Sequence, residues 1–396
     1  MDQIDLTIFE HGPVANANLR SLLVQFEQYN HVHVRLNVLS WTNGWNKLVD
    51  IALKHSGADV SEIGTTWLSD FAKMDAFHML NRRDLNTLGG QEQFIKASWD
   101  SCLVASSRGV MNAWSIPWSA DTRCIYYRRD VLEKAGIDEK KAFASLEQFE
   151  GTLSKLKEAG VRVPLVMPTQ TTRINVHNLA MWVWASGGDF LDHTGKLLTL
   201  DQPAALSGMQ SYFELARLMP SDVRRLQDVQ ADDIFAAGLA AVTISGVWML
   251  QDARVPPLLN EKIATAPIPG TPFVGGTNLA IWKHTKNQDT ALKLVKFLTS
   301  RQASDMMQPY AGLPVREDVL DTGQYVTDPH MHILADALRS GRSFPTGYLW
   351  GILEKRLGEE TTAIWEEIFT NPQPDIPKIV QEHTQIISQR LKMAIG

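Results

Sequence analysis

The side chains with the most chemistry to offer here are indoles with polar neighbours. The chain carries 12 Trp against 7 Tyr, and Trp is a large amphipathic ring used heavily where proteins grip ligands. About half of them are expected in ordinary core and surface positions. Two of them, with polar neighbours, sit where apolar runs end: Glu10 and His11 after the first run, Trp41 after the second, Thr66 and Trp67 after the third. A carboxylate at such a place can accept hydrogen bonds from two adjacent hydroxyls, and charged acceptors make the stronger bonds.

Nothing in the pattern announces a reaction. There is no G-x-x-x-x-G-K-S/T phosphate loop, no H-E-x-x-H, no G-x-S-x-G and no G-x-G-x-x-G. Eleven His and 44 acidic residues permit acid–base pairs in principle, but no spacing places one. No Cys/His spacing resembles a metal site, and no cofactor motif is present. Two Cys, Cys102 and Cys124, exclude a disulfide-dense scaffold; one bridge and two free thiols both remain open. Net charge is −6, from 38 basic and 44 acidic residues, which argues against a nucleic-acid partner.

The elements that must position these residues read as alternating strand and helix. Ile4 to Phe9 is a strand, and Leu19, Leu22, Leu23 and Phe26 share one helix face. Val32, Val34, Leu36 and Val38 alternate as a strand with one polar face. Trp45, Leu48, Val49 and Ala52 mark a second helix, and Val60 to Gly64 a third strand. This repetition implies parallel strands with helices on the faces, and the carboxyl ends of such strands form the cleft edge of an α/β lobe.

A second region behaves similarly. Ile125 to Tyr127 is a strand, followed by a helix from Asp130, with Glu133 at capping-box spacing, to Gly136. Ser145 and Gln148 start another helix, Val161 to Met167 is strand-like, His177 to Ser186 is helical, Asp201 caps a helix, and Ala241 to Ser245 is a buried strand. Pro and Gly cluster from Pro267 to Gly276, then come a strand ending at Trp282, a helix through Leu292 and Leu298, and a helical tail from about Pro329. A chain of 396 residues, 44% hydrophobic and 21% charged, suits two globular domains. No apolar run reaches membrane-spanning length. The first residues lack the basic and apolar segments of an export signal, which leaves a cytoplasmic protein or one whose signal has been removed and a start Met added.

At Ile116-Pro117-Trp118-Ser119-Ala120-Asp121-Thr122-Arg123-Cys124-Ile125-Tyr126-Tyr127, continuing to Ala135-Gly136, the sequence resembles the sugar-binding proteins of bacterial ABC importers, the family that includes maltose-binding protein. Four further segments agree in order: Thr66 to Ala72, Phe235 to Val242 with Ser245-Gly246-Val247-Trp248, Pro272 to Ile281, and Ala311 to Arg316. The resemblance spans roughly residues 5–370. It implies an α/β, two-lobed periplasmic-binding-protein-like fold with three interlobe crossings near 118–123, 265–272 and 311–316. Lobe 1 would comprise 1–119 and 270–313, and lobe 2 would comprise 122–267 and 316–396.

The resemblance also implies a role: a monomeric, non-catalytic, periplasmic or extracellular membrane-associated protein. It would capture a mono- or oligosaccharide by lobe closure and deliver it to the transmembrane subunits of an ABC permease. Sugars present apolar C–H faces and a hydroxyl rim, so rings stack on the faces and polar groups bond the rim. On this reading Trp248 and Trp350 stack on the ligand, Asp121 and Trp118 contribute from the first crossing, and Thr66 bonds hydroxyls. His177 supplies an aromatic contact, and Gly275, Gly276 and Asn278 approach from the return loop. Glu10, His11, Trp41 and Trp67 complete the set. For each, a packing or capping role is the alternative: helix capping for Glu10, a hinge salt bridge to Arg123 for Asp121, core for one of Trp182 and Trp184. Rival functions are binding of a polyol phosphate or polyamine, which needs charge in the site, and carbohydrate hydrolysis, which needs two carboxylates about 5 to 10 Å apart.

Overall fold

A computed structural model of the chain describes residues 2–106, 110–192, 195–250, 255–307 and 311–395. Its strands are β1 (Asp2–Phe9), β2 (Val32–Leu39), β3 (Val60–Gly64), β4 (Leu103–Ala105), β5 (Met111–Ala113), β6 (Ile116–Thr122), β7 (Cys124–Arg128), β8 (Leu165–Val166), β9 (Val242–Ser245), β10 (Ile263–Ala266) and β11 (Val274–Ile281).

The chain divides into two units. Unit 1 is Met1–Asp121, Val274–Asp328 and Ser343–Tyr348; unit 2 is Thr122–Phe273, Pro329–Arg342 and Leu349–Gly396. Three boundaries differ from the sequence expectation. Residues 316–328 belong with unit 1, where Glu317 N donates to the Gln93 carbonyl at 3.1 Å and the Arg316 guanidinium bonds the Gln93 side chain. Residues 270–273 belong with unit 2, where the Phe273 carbonyl accepts from Thr122 Oγ1 at 2.7 Å and the Pro272 carbonyl accepts from Arg342 N at 3.0 Å. Residues 343–348 return briefly to unit 1, where Thr346 Oγ1 bonds the Leu103 carbonyl.

In unit 1 the sheet order is β2-β1-β3-β11-β6. β1 pairs parallel with β2 from Asp2 opposite Val32 to Phe9 opposite Leu39, and parallel with β3 at Leu6–Val60. β11 runs antiparallel to β3. Strand–helix–strand repetition produced the parallel part, as a crossover helix requires. The helices are α1 (Pro13–Asn30) and α2 (Trp41–Lys54). α1 starts with Pro at its first position, where the missing N–H costs nothing, and buries Leu19, Leu22, Leu23 and Phe26. α2 buries Gly44, Leu48 and Ala52. β3 is buried at every residue, as a central strand must be, so the Glu62 carboxylate is deep inside and needs partners.

Unit 2 holds a sheet of order β10-β7-β9-β8, with β7 antiparallel to both β9 and β10 and β8 parallel to β9. Its tail is three helices, Pro329–Ser340, Tyr348–Thr370 and Ile376–Ile395, the middle one beginning at the last residue of unit 1. Ser145 does cap the helix after it, accepting from Gln148 N at 3.1 Å. Asp201 does not: the helix starts at Pro203 behind Gln202, with no side-chain cap. Asp130 is no cap either; its carboxylate is gripped by Arg128 Nε and Nη2, both at 2.8 Å. Of Val161–Met167 only Leu165 and Val166 are strand.

Cys102 and Cys124 are both free and buried. Burial pushes each thiol up to about 12. Among the described residues, no helix is long and apolar enough to cross a membrane, and no cluster of three metal-ligating side chains occurs.

Candidate functional site

The carboxyl end of β1 delivers Phe9, Glu10 and His11 in succession, and Glu10 N extends the ladder to the Leu39 carbonyl at 2.9 Å. β2 ends one residue before α2, so Trp41, the first residue of α2, arrives beside them. The Trp41 indole lies flat on the Phe9 ring, centroids 4.2 Å apart and planes 17° apart. Its Nε1 donates to the Glu10 carbonyl at 3.1 Å. Phe9 and that hydrogen bond hold the ring, yet Trp41 remains 44% exposed. An indole backed on one face and still half-exposed is a ready stacking platform.

His11 stands at right angles to this platform, 83° to Trp41 with centroids 6.0 Å apart, and 81° to Trp118 at 5.8 Å. Its Nε2 lies 2.8 and 3.0 Å from the two oxygens of Glu62. A carboxylate only accepts, so Nε2 carries the hydrogen. Glu62 also accepts the Phe9 backbone N–H at 2.7 Å, which accounts for a fully buried carboxylate in a central strand. Burial lowers the His11 pKa, but the charge and hydrogen bond of Glu62, with Glu10 adding, outweigh it and the net shift is upward from 6.5.

The other unit 1 candidates differ in burial and in partners. Glu10 is exposed and turned toward the start of α1, its Oε1 accepting from Gly12 N at 3.1 Å and Asn16 Nδ2 at 2.7 Å. Trp67 is 3% exposed and sits in the core with Phe9, Phe71 and Trp282, so its ring is no open platform. Thr66 and Asp121 are half-buried, and Trp118 is buried. Asn278 is fully buried in β11 and donates through Nδ2 to Ser101 Oγ at 3.2 Å. Gly275 is buried. Gly276 has φ +121°, and a β-carbon there would meet the Ser119 carbonyl of β6. Its glycine serves the approach of two strands.

Unit 2 holds the remaining three. Trp248 is half-buried after β9; its Nε1 donates to Asp232 Oδ2 at 2.7 Å, and the guanidinium of the buried Arg123 lies 4.6 Å over its ring. His177 is half-buried and stacked on Phe273 at 4.0 Å and 18°. Trp350 is 1% exposed and packs beside Phe190 at 6.0 Å; it is core, not a surface ring. Trp182 is fully buried. Trp184 carries the Arg342 guanidinium 4.4 Å over its ring, with Asp189 bonding both.

The structure thus brings Trp41 and Trp118 to either side of His11, which is held by Glu62, a residue that sequence reading passed over. Its one legible signal was a carboxylate inside an apolar strand run. Arg123 and Asp232, which hold Trp248, gave no such signal, being 16 or more residues from it in the chain.

The family model for bacterial extracellular solute-binding proteins matches residues 12–305. The diacetylchitobiose-binding protein DasA of Streptomyces coelicolor is 25% identical over 291 residues, covering 70% of this chain and 65% of that protein's length. Among solved structures, the sugar-binding protein MalE of Xanthomonas citri superposes with TM-score 0.84 at 20% identity, covering 99% of this chain and 98% of the other. An ABC-transporter solute-binding protein of Thermotoga lettingae bound with α-D-tagatose gives 0.81 at 19% identity over 100% of both chains. The α/β fold expected from the sequence is therefore that of these proteins, and this chain belongs to the bacterial extracellular solute-binding protein family.

Proposed function

We propose that this chain is the solute-capturing component of an ABC importer and that its solute is a carbohydrate, a mono- or oligosaccharide. The observation that carries the reading is the Trp41 indole, 44% exposed, stacked on Phe9 and set at right angles to His11. That corner offers an apolar face for sugar C–H groups and a polar edge for the hydroxyl rim, the two needs of such a ligand. The diacetylchitobiose-binding protein DasA, the sugar-binding protein MalE and the tagatose-bound T. lettingae protein support the class. A phosphate ligand would want a cation in surplus; His11 is already matched by Glu62.

On this reading the protein binds without reacting, works outside the cytoplasm as a monomer and hands its ligand to a membrane permease. With 44 acidic residues against 38 basic, it has no use for nucleic acid. Micromolar capture needs about −8 kcal/mol, within reach of stacked rings and several hydrogen bonds. Calorimetric titration against a panel of mono- and disaccharides tests it: saturable binding without turnover is expected, and silence across the panel or cleavage of a sugar would refute it.

A further inference from the structure

We infer that His11 determines which ligand oxygen the aromatic face of unit 1 accepts: Glu62 holds its Nε2, and its Nδ1 meets the bound carbohydrate as a hydrogen-bond donor. The inference rests on the carbohydrate reading and deepens it.

Three features fix the imidazole. Glu62 is fully buried and gripped by the Phe9 N–H, so it cannot swing away, and both its oxygens lie within 3.0 Å of Nε2. Trp41 and Trp118 stand edge-on to the ring. The side chain keeps 10% exposure, and among the described residues none hydrogen-bonds Nδ1. One nitrogen is therefore committed to the protein and the other is available.

The role of Nδ1 depends on protonation. In the neutral ring Nε2 keeps the hydrogen for Glu62, so Nδ1 can only accept. In the imidazolium both nitrogens donate, and the Nδ1–H bond is charge-assisted. The groups facing the ring are Glu62 from β3, Glu10 from its own segment, and the uncharged Trp41 from α2 and Trp118 from β6. Both charged neighbours are acids, which favours the imidazolium, and the shift above 6.5 agrees. An acceptor oxygen, such as a ring oxygen, a glycosidic oxygen or an acetamido carbonyl, is then held well while His11 is charged and poorly once it is neutral. A hydroxyl can reverse its bond and suffers less.

The test is calorimetric titration of the full chain with maltose, N,N′-diacetylchitobiose and tagatose at pH 6.0, 7.0 and 8.5. The affinity of whichever sugar binds should fall about tenfold between the lowest and highest pH, the loss of one charge-assisted hydrogen bond. His11→Gln should show a flat profile, and Glu62→Gln should move the fall to lower pH. A flat wild-type profile would overturn the inference while leaving the carbohydrate reading standing, and the wild-type profile decides alone should either variant fail to fold. Absence of binding by all three sugars at every pH would overturn both.

Discussion

Trp248 donates its indole hydrogen to Asp232 at 2.7 Å, so the edge of the ring is fixed by a carboxylate that is itself only 5% exposed. Arg123 covers one face of the same ring at 4.6 Å. A half-buried indole clamped at edge and face has lost most of its rotamer freedom.

Asp232→Ala should accordingly destabilise the protein by about 1–3 kcal/mol, the cost of leaving a donor without its acceptor. Urea unfolding followed by circular dichroism measures this. Trp fluorescence of the folded variant should shift to the red as the indole loosens into water.

Trp41 and Trp67, with ring centroids 6.2 Å apart, should lose very different amounts of stability on truncation. Trp67→Ala removes a core ring and should cost about 3–5 kcal/mol of stability. Trp41→Ala removes a half-exposed ring and a single stacked pair and should cost about 1 kcal/mol. Urea midpoints of the two variants provide the comparison.

That pair also shows how far sequence reading reaches. Both indoles follow an apolar run, and both were expected at the carboxyl end of a strand. Only burial distinguishes them, and burial is set by what packs from elsewhere: Trp67 meets Trp45 of α2 and Phe9 of β1. The early strands and helices were legible because their periodicity is local. Glu62 was not, because its partner His11 is 51 residues away. Trp350 looked like a ligand ring by resemblance, and the packing of Phe190 beside it is invisible in a linear string. Asp201 failed as a cap because Pro203 sets the start of the helix, and the residue before a proline is pushed to extended backbone, which makes Gln202 the cap position.

Gly276→Ala should destabilise by about 1–3 kcal/mol or more. The residue has φ +121°, outside the range L side chains adopt readily, and the new β-carbon would stand 2.8 Å from Ala120 Cα. Thermal unfolding measures the loss; Gly151→Ala, where a β-carbon meets nothing, is the control and should be neutral or slightly stabilising.

Asp318 gives a pH dependence of defined sign. The Arg316 hydrogen bonds outweigh burial and hold its carboxyl below the ordinary 3.8. A group depressed in the folded state contributes stability above its unfolded pKa and loses it as pH falls through the folded value. The contribution should therefore be complete above about pH 5, begin to fall near the ordinary 3.8 and vanish only below the depressed folded value. Acid titration of Asp318→Asn against the parent should show the two curves converging at low pH.

Cys102 and Cys124, buried with thiols raised to about 12, should resist alkylation by iodoacetamide at pH 8 in the native protein. Both should react on unfolding in urea, as counted by mass spectrometry.

The most direct measurement is calorimetric titration of the parent chain and Trp41→Ala with the same sugar panel. Saturable binding by the parent is expected, with affinity at least about tenfold weaker in the variant, the loss of one stacked ring, and an unchanged circular dichroism spectrum. Equal affinity in the two proteins would contradict that expectation.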